Sequence, residues 1–364
     1  MKPLRIGNLK INIPVIQGGM GVGISLSGLA AAVANEGGVG TISAAGIGLI
    51  KKGVKGDYLK ENIIALRNEI RKAKEKTKGV LGVNVMVAMT NFADMVTTSI
   101  AEKIDIIFVG AGLPLNLPSY LKKDSVTKLV PIVSSGRAVK IICQKWIDQY
   151  NYLPDAIVVE GPKAGGHLGF HADQINNKKF CLESILKDVI TEAKIFEKKY
   201  KRKIPVIAAG GIYTGKDVNK YLDLGASGVQ MGTRFVTTDE CDASEEFKQS
   251  YIKAKQRDIK IINSPVGLPG RAIESKFLNK VEKGEKQPLK CPYHCIRSCN
   301  IEKSPYCIVV ALIQAYRGNF NHGFAFAGAN AFRAKAIISV NKTFDLIKTE
   351  YNKAKEKYSK SFAK

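Results

Sequence analysis

Eight short, continuous apolar runs, each followed by a longer polar or Lys-rich segment, constrain the fold of this chain most. They lie at 13–17, 39–43, 80–87, 105–110, 129–134, 155–160, 204–209 and 228–235. A strand with one face in water alternates apolar and polar residues. A strand covered on both faces reads as an unbroken apolar run, as in parallel sheets whose crossovers are helices. The intervening segments repeat at helical spacing and predict helices at 26–35, 58–76, 92–103, 137–148, 182–199, 216–224 and 243–255. Gly37 and Gly38 supply a stop for the first of them. Eight strand–helix units in about 250 residues is the size of a TIM (β/α)8 barrel. A doubly wound open sheet is the alternative. The Gly-rich stretch 18–23 has the wrong spacing for the dinucleotide fingerprint that such a sheet would carry.

The alternation stops near residue 260. Beyond it come a Pro/Gly loop at 263–270, a polar stretch at 282–290, four cysteines, a helix-like run at 308–316, a Gly/Phe-rich stretch at 318–328 and one or two closing helices at 329–357. The chain of 364 residues is therefore divided into a barrel, 1–260, and a Cys-containing C-terminal cap, 261–364, packed on it.

Composition narrows the function. With 45% hydrophobic and 24% charged residues the chain is an ordinary globular protein. The net charge of +24 favours anionic partners, but the excess is mostly Lys spread along the chain, without Arg-rich, aromatic-interleaved patches. Neither nucleic acid nor a membrane is expected as a partner. Seven cysteines, an odd number, and an N-terminus without an apolar h-region point to a reducing, cytoplasmic setting.

In a TIM barrel the chemistry sits at the C-terminal ends of the strands, and the loops after strands seven and eight commonly bind phosphate. Here those loops read Ala208-Ala-Gly-Gly-Ile212 and Gln230-Met-Gly-Thr-Arg234. Glycines at Gly210, Gly211 and Gly232 let backbone N–H groups approach a phosphate, and the hydroxyl of Thr233 adds a donor. Strand six runs into Glu160-Gly-Pro-Lys-Ala-Gly-Gly-His-Leu-Gly169. His167 there titrates near neutrality, and Gly165 and Gly166 leave room for a flat ring beside it. His171 reads as a solvated loop residue.

Gln17-Gly-Gly-Met20, Asn84 in Val83-Asn-Val-Met86, Ala164-Gly-Gly-His-Leu-Gly169, Ala209-Gly-Gly211 and Gln230-Met-Gly-Thr233 occur in that order. Together they resemble the nitronate monooxygenase family, formerly the 2-nitropropane dioxygenases, whose superfamily includes the flavin-dependent enoyl-acyl-carrier-protein reductases. The resemblance covers roughly residues 5–280. It implies a barrel holding FMN non-covalently, with His167 as the catalytic histidine. It places Gly18, Gly19 and Met20 beside the flavin ring, and Asn84, Gly211, Gln230, Met231, Gly232 and Thr233 in contact with FMN. The implied reaction is the oxygen-dependent conversion of an anionic nitronate to a carbonyl compound and nitrite, with His167 as base or orienting group. The alternative is NAD(P)H-dependent reduction of an enoyl thioester on an acidic carrier protein, which the positive charge also fits. A non-catalytic FMN-binding barrel is a third class. A homodimer is compatible with the sequence.

Cys291, Cys295, Cys299 and Cys307 fall within 17 positions. Thiolates this dense can hold zinc or an iron–sulfur cluster. The spacing matches neither the common zinc pairs nor ferredoxin runs. If helical, it aligns the first three along one face, which suits buried or redox thiols. A metal site is kept as the second reading, and the four residues are expected to gather beside the barrel mouth.

Overall fold

The computed structural model describes residues 1–50, 57–285, 291 and 293–362, with side chains of the last helix described to 357. A hairpin, β1 (Leu4–Ile6) and β2 (Leu9–Ile11), comes first. It was not expected, because two three-residue strands carry too short a pattern to read.

The barrel strands follow: β3 (Val15–Gln17), β4 (Val39–Ser43), β5 (Val80–Met86), β6 (Ile106–Gly110), β7 (Lys128–Val133) and β8 (Ile157–Glu160). After a two-residue strand β9 (Gly166–His167), β10 (Val206–Ala209) and β11 (Gly228–Met231) complete the set. The eight barrel strands close in the order β10-β11-β3-β4-β5-β6-β7-β8, each pair parallel. The fold is therefore the TIM barrel expected, and the open sheet is excluded by closure.

Between the strands run α1 (Ser27–Asn35), α2 (Tyr58–Lys76), α3 (Phe92–Ala101), α4 (Gly136–Tyr150), α5 (Leu182–Tyr200) and α6 (Gly215–Asp223). They lie within two residues of their predicted positions. One departure matters for the site. The eighth strand was expected to run to Phe235, but it ends at Met231, and Thr233–Val236 turn into a one-turn helix, α7. The apolar run continues because Phe235 and Val236 are buried from a helical turn instead of a strand.

Two cores result. Outside the strands, the helices bury Leu66, Ile70, Val139, Trp146, Leu186 and Val189 against the barrel wall. Inside it, Ile16, Phe108, Val130, Val158 and Ile207 fill the lumen. Leu4, Ile6 and Ile11 belong to this inner core, so the N-terminal hairpin plugs the lumen.

Beyond α8 (Glu245–Lys253) the chain forms β12 (Ile259–Asn263) and β13 (Pro269–Ile273), an antiparallel hairpin. The Pro/Gly stretch is thus a hairpin connection and part of a strand. β13 also pairs antiparallel with β9, joining the cap to the loop after β8. Then come α9 (Lys276–Glu282), α10 (Ile308–Tyr316) and α11 (Val340–Phe362). The expected loop at 282–290 falls largely outside the described residues, as does Pro292.

Phe108 is fully buried in the lumen, where a methyl group added to Gly82 would meet its ring at 2.7 Å. Phe108→Ala leaves a void that this close-packed interior cannot collapse into. The expected loss is about 3–5 kcal/mol of unfolding free energy, read from a urea titration.

Candidate active site

A cavity of about 790 Å³ opens at the C-terminal end of the barrel. That lies within the ~300–1,000 Å³ typical of sites for small ligands and cofactors. Gly18, Gly19, Met20, Asn84, Gly165, Gly166, His167, Gly210, Gly211, Gln230, Met231, Gly232 and Thr233 all line it. The sequence spreads these residues over more than two hundred positions, and barrel closure brings them together.

Their packing explains the glycines. A methyl group on Gly19 would lie 2.3 Å from the Asn84 side chain, and one on Gly18 would lie 3.2 Å from that of Gln230. The loop after β3 is thereby laid flat against β5 and β11. At the other side of the mouth, Gly210 and Gly211 hold φ of 97° and 83°, in the left-handed region that glycine tolerates best. They leave the amides of Gly211 and Ile212 without a protein acceptor among the described residues, as is the amide of Gly232.

The amides at the start of α6 are already engaged. Tyr213 and Thr214 N–H donate to Asp217, Asp217 N–H to Thr214 Oγ1, and Gly215 N–H to Glu350. What is available is the loop amides themselves, and beside them stand two polar groups missed from the sequence, of which only Tyr213 lines the cavity. The Tyr213 hydroxyl and Arg234 Nε are buried without partners, with the Arg234 guanidinium 4.8 Å from the Tyr213 ring. Orphaned donors beside free amides fit an anionic group, since an unsatisfied buried polar atom is costly. Thr233 Oγ1 accepts from Gly328 N–H at 2.9 Å, so its own proton remains available to donate.

His167 sits opposite in β9. Its register partner is Gly270 of β13, and Arg271 pairs with Gly166. Its Nε2 lies 2.7 Å from Ser264 Oγ, and its ring packs edge-on to Phe326 at 5.0 Å. Burial lowers its pKa to about 4, so the imidazole is neutral at physiological pH. The unfolded chain protonates this ring first, so His167 contributes stability above its ordinary pKa that is lost as pH falls towards 4. His171 is exposed, as read from the sequence.

Arg271, unnoticed in the sequence, holds the histidine loop from below. Its Nη1 donates to the carbonyls of Pro162 and Ala164 at 2.5 and 2.7 Å, and burial lowers its pKa to about 10. The cap also supplies Val266, Leu268, Ile308, Val309, Leu312 and Phe326 to the cavity wall. No periodic signal marked these as site residues, because they come from one hairpin, one helix and one loop.

Cys295 lines the cavity too, while the other three clustered cysteines do not. Among the described residues at 291 and 293–300 none is helical, and Cys307 is the N-cap of α10. The alignment on a helix face therefore fails, yet the four thiols feel one another electrostatically. All four are free, and among the described residues no three His, Cys, Asp or Glu side chains are arranged to hold a metal ion. Burial raises the Cys295 thiol to about 12.

With the geometry in view, comparison places the chain. The family profile for nitronate monooxygenase matches residues 2–349, and the chain belongs to that family. It is an oxidoreductase enzyme by that membership. A probable nitronate monooxygenase of Staphylococcus saprophyticus is 27% identical over 301 residues, 76% of this chain and 79% of that one. The (3aS,4S,5R,7aS)-5-hydroxy-7a-methyl-1-oxo-octahydro-1H-indene-4-carboxyl-CoA dehydrogenase of Mycobacterium tuberculosis is 28% identical over 276 residues, covering 76% of this chain and 67% of that one. The structure of FabK from Thermotoga maritima superposes with a TM-score of 0.74 at 27% identity, covering 96% of each chain. No helix among the described residues is long and apolar enough to cross a membrane.

Two outcomes are expected. Arg271→Met strands the carbonyls of Pro162 and Ala164 and should cost about 1–3 kcal/mol, seen as a lower urea midpoint. The Cys295 thiol, held far above its ordinary pKa, should alkylate with iodoacetamide at about pH 8 far more slowly than in the urea-unfolded chain.

Proposed function

We propose that this protein is an FMN-dependent oxidoreductase that converts alkyl nitronates to carbonyl compounds and nitrite. The observation that carries the reading is one cavity bounded by free loop amides and the orphaned Tyr213 hydroxyl at one side and by a neutral histidine at the other. The residues fit a flavin phosphate at Gly211, Gly232, Thr233 and Tyr213, with Gly18, Gly19, Met20 and Asn84 along the ring. Bound flavin supplies the electron exchange with the substrate.

The chain's own part is to bind, orient and move a proton. Ser264 occupies Nε2 of His167 and leaves Nδ1 without a protein partner among the described residues. When the serine hydroxyl donates, Nδ1 carries the proton and orients a nitronate oxygen. When the serine accepts, Nδ1 is the base that takes the α-proton of a neutral nitroalkane. Neutrality of the ring makes the second role open at physiological pH. The cap's apolar wall keeps water from the reacting atoms, which strengthens these polar contacts.

A specific observation favours a second reading, the redox chemistry of an acyl thioester. The cap lines the cavity with more apolar side chains than a small nitronate needs, and a carboxyl-CoA dehydrogenase is among the relatives. There His167 would handle the proton at the carbon next to the thioester carbonyl.

Nitrite release from a nitronate, against NAD(P)H oxidation with a crotonyl thioester, separates the two. His167→Ala should retain FMN and lose turnover of a neutral nitroalkane by roughly 10²–10⁴-fold. A preformed nitronate, which needs no deprotonation, should suffer less. Equal and slight losses on both would exclude His167 as the base, and loss of FMN would make it part of the cofactor pocket.

A further inference from the structure

Glu160 is the sole carboxyl among the described residues lining the cavity, and the proton transfer above does not use it. It is the last residue of β8, paired in register with Ala209 of β10. The next residues along β10 are Gly210 and Gly211, so its carboxyl faces the chamber one strand from the loop amides. It has no side-chain hydrogen bond or ion pair to any described residue, and what surface it keeps opens on the cavity. A half-buried carboxyl enclosed in a cavity without a partner is a group waiting for a ligand, because an apolar side chain fills such a place at less cost.

We propose that Glu160, as a neutral carboxylic acid, donates a hydrogen bond to the polyol phosphate chain of the cofactor. This rests on reading the cavity as an FMN site. An ionised carboxylate in that place would face two penalties, a low-dielectric wall and the phosphate charge beyond Gly210 and Gly211. A protonated one meets neither and presents a donor that a ribityl hydroxyl or a phosphate oxygen accepts.

The surroundings agree. Burial alone raises the Glu160 pKa to about 7, and no neighbouring charge contributes. Among the elements packed on β8, β10 carries no charged side chain, and β7 carries only Lys128, its first residue, at the opposite end of the barrel. On α5, Glu183 is paired with Lys220, and Asp188 accepts from Gly136 N–H. Within the cavity the titratable neighbours are Lys163, His167, Tyr213, Tyr251, Tyr58 and Cys295. Burial keeps His167 and Cys295 uncharged, and it raises the Tyr58 and Tyr251 phenols far above neutrality. Lys163 is exposed at the rim, with its Cβ 2.8 Å from where a side chain on Gly211 would begin. It stands on the Gly211 side and makes no ion pair with Glu160.

The test is FMN affinity, measured as flavin fluorescence quenching when apoprotein is titrated at about pH 6 and about pH 8.5. Wild type, Glu160→Gln and Glu160→Ala are compared. Gln keeps a donor without a charge. It should match wild type at pH 6 and bind roughly tenfold more tightly than wild type at pH 8.5, where Glu160 has ionised. Ala should bind roughly tenfold more weakly than Gln at both values, the usual worth of a lost hydrogen bond. Comparison with Gln removes the phosphate's own titration, since that is common to all three.

A second readout needs no cofactor. The native state holds the Glu160 proton above its unfolded value, so wild-type stability should fall, relative to Glu160→Gln, as pH rises from about 5 to 8. Gln binding tenfold more weakly than wild type at pH 6, or parallel pH profiles of affinity and stability, would overturn the proposal while leaving the FMN site standing. Wild type that binds no FMN at either pH would overturn both.

Discussion

The pairing of two residues of β9 with two of β13 is the contact on which the site depends. Gly166 and His167 lie in the loop after β8, whose Ala164, Leu168 and Phe170 are anchored in the core while the two residues between Gly165 and Leu168 are only half-buried. Gly270 and Arg271 give it a strand edge. Arg271 then ties down the carbonyls of Pro162 and Ala164, and Ser264 on the same cap hairpin takes Nε2 of the histidine. The cap is therefore what turns a flexible Gly-rich loop into a positioned imidazole. The barrel alone would present the glycine loops without the cap contacts that direct the histidine.

Electrostatically the chamber is quieter than the chain around it. The protein carries +24, yet two of the ionisable groups lining the chamber, Glu160 and His167, are driven towards their neutral forms by burial. Fixed donors line it instead: loop amides and the Tyr213 hydroxyl at one side, His167 held by Ser264 at the other. Such dipoles need no reorganisation when an anion arrives, which is the arrangement that favours electrostatic catalysis in a low-dielectric site.

How much of this was legible in the sequence depended on the length of each signal. Continuous apolar runs declared the barrel strands, and long amphipathic stretches placed α2 and α5 almost to the residue. The glycine motifs and His167 were visible because glycines mark close approaches of backbone. Where local pattern gives out, so did the reading. The plug hairpin of Leu4–Ile6 and Leu9–Ile11 is six residues of strand with meaning only inside the lumen. The end of β11 was misplaced because Phe235 and Val236 are apolar in either geometry. Cys291, Cys295 and Cys299 share a helical spacing but lie on irregular chain. Arg271, Ser264 and Glu160 acquire roles through partners or a cavity that tertiary structure alone supplies.

The central claim is that the phosphate of FMN sits on the loops after β10 and β11. A crystal structure of the protein soaked with FMN tests it most directly. The account requires the phosphate within hydrogen-bond distance of the amides of Gly211 and Gly232, with the flavin ring lying along Gly18, Gly19 and Asn84 towards His167. A flavin seated elsewhere, or a phosphate remote from both glycine loops, would contradict it.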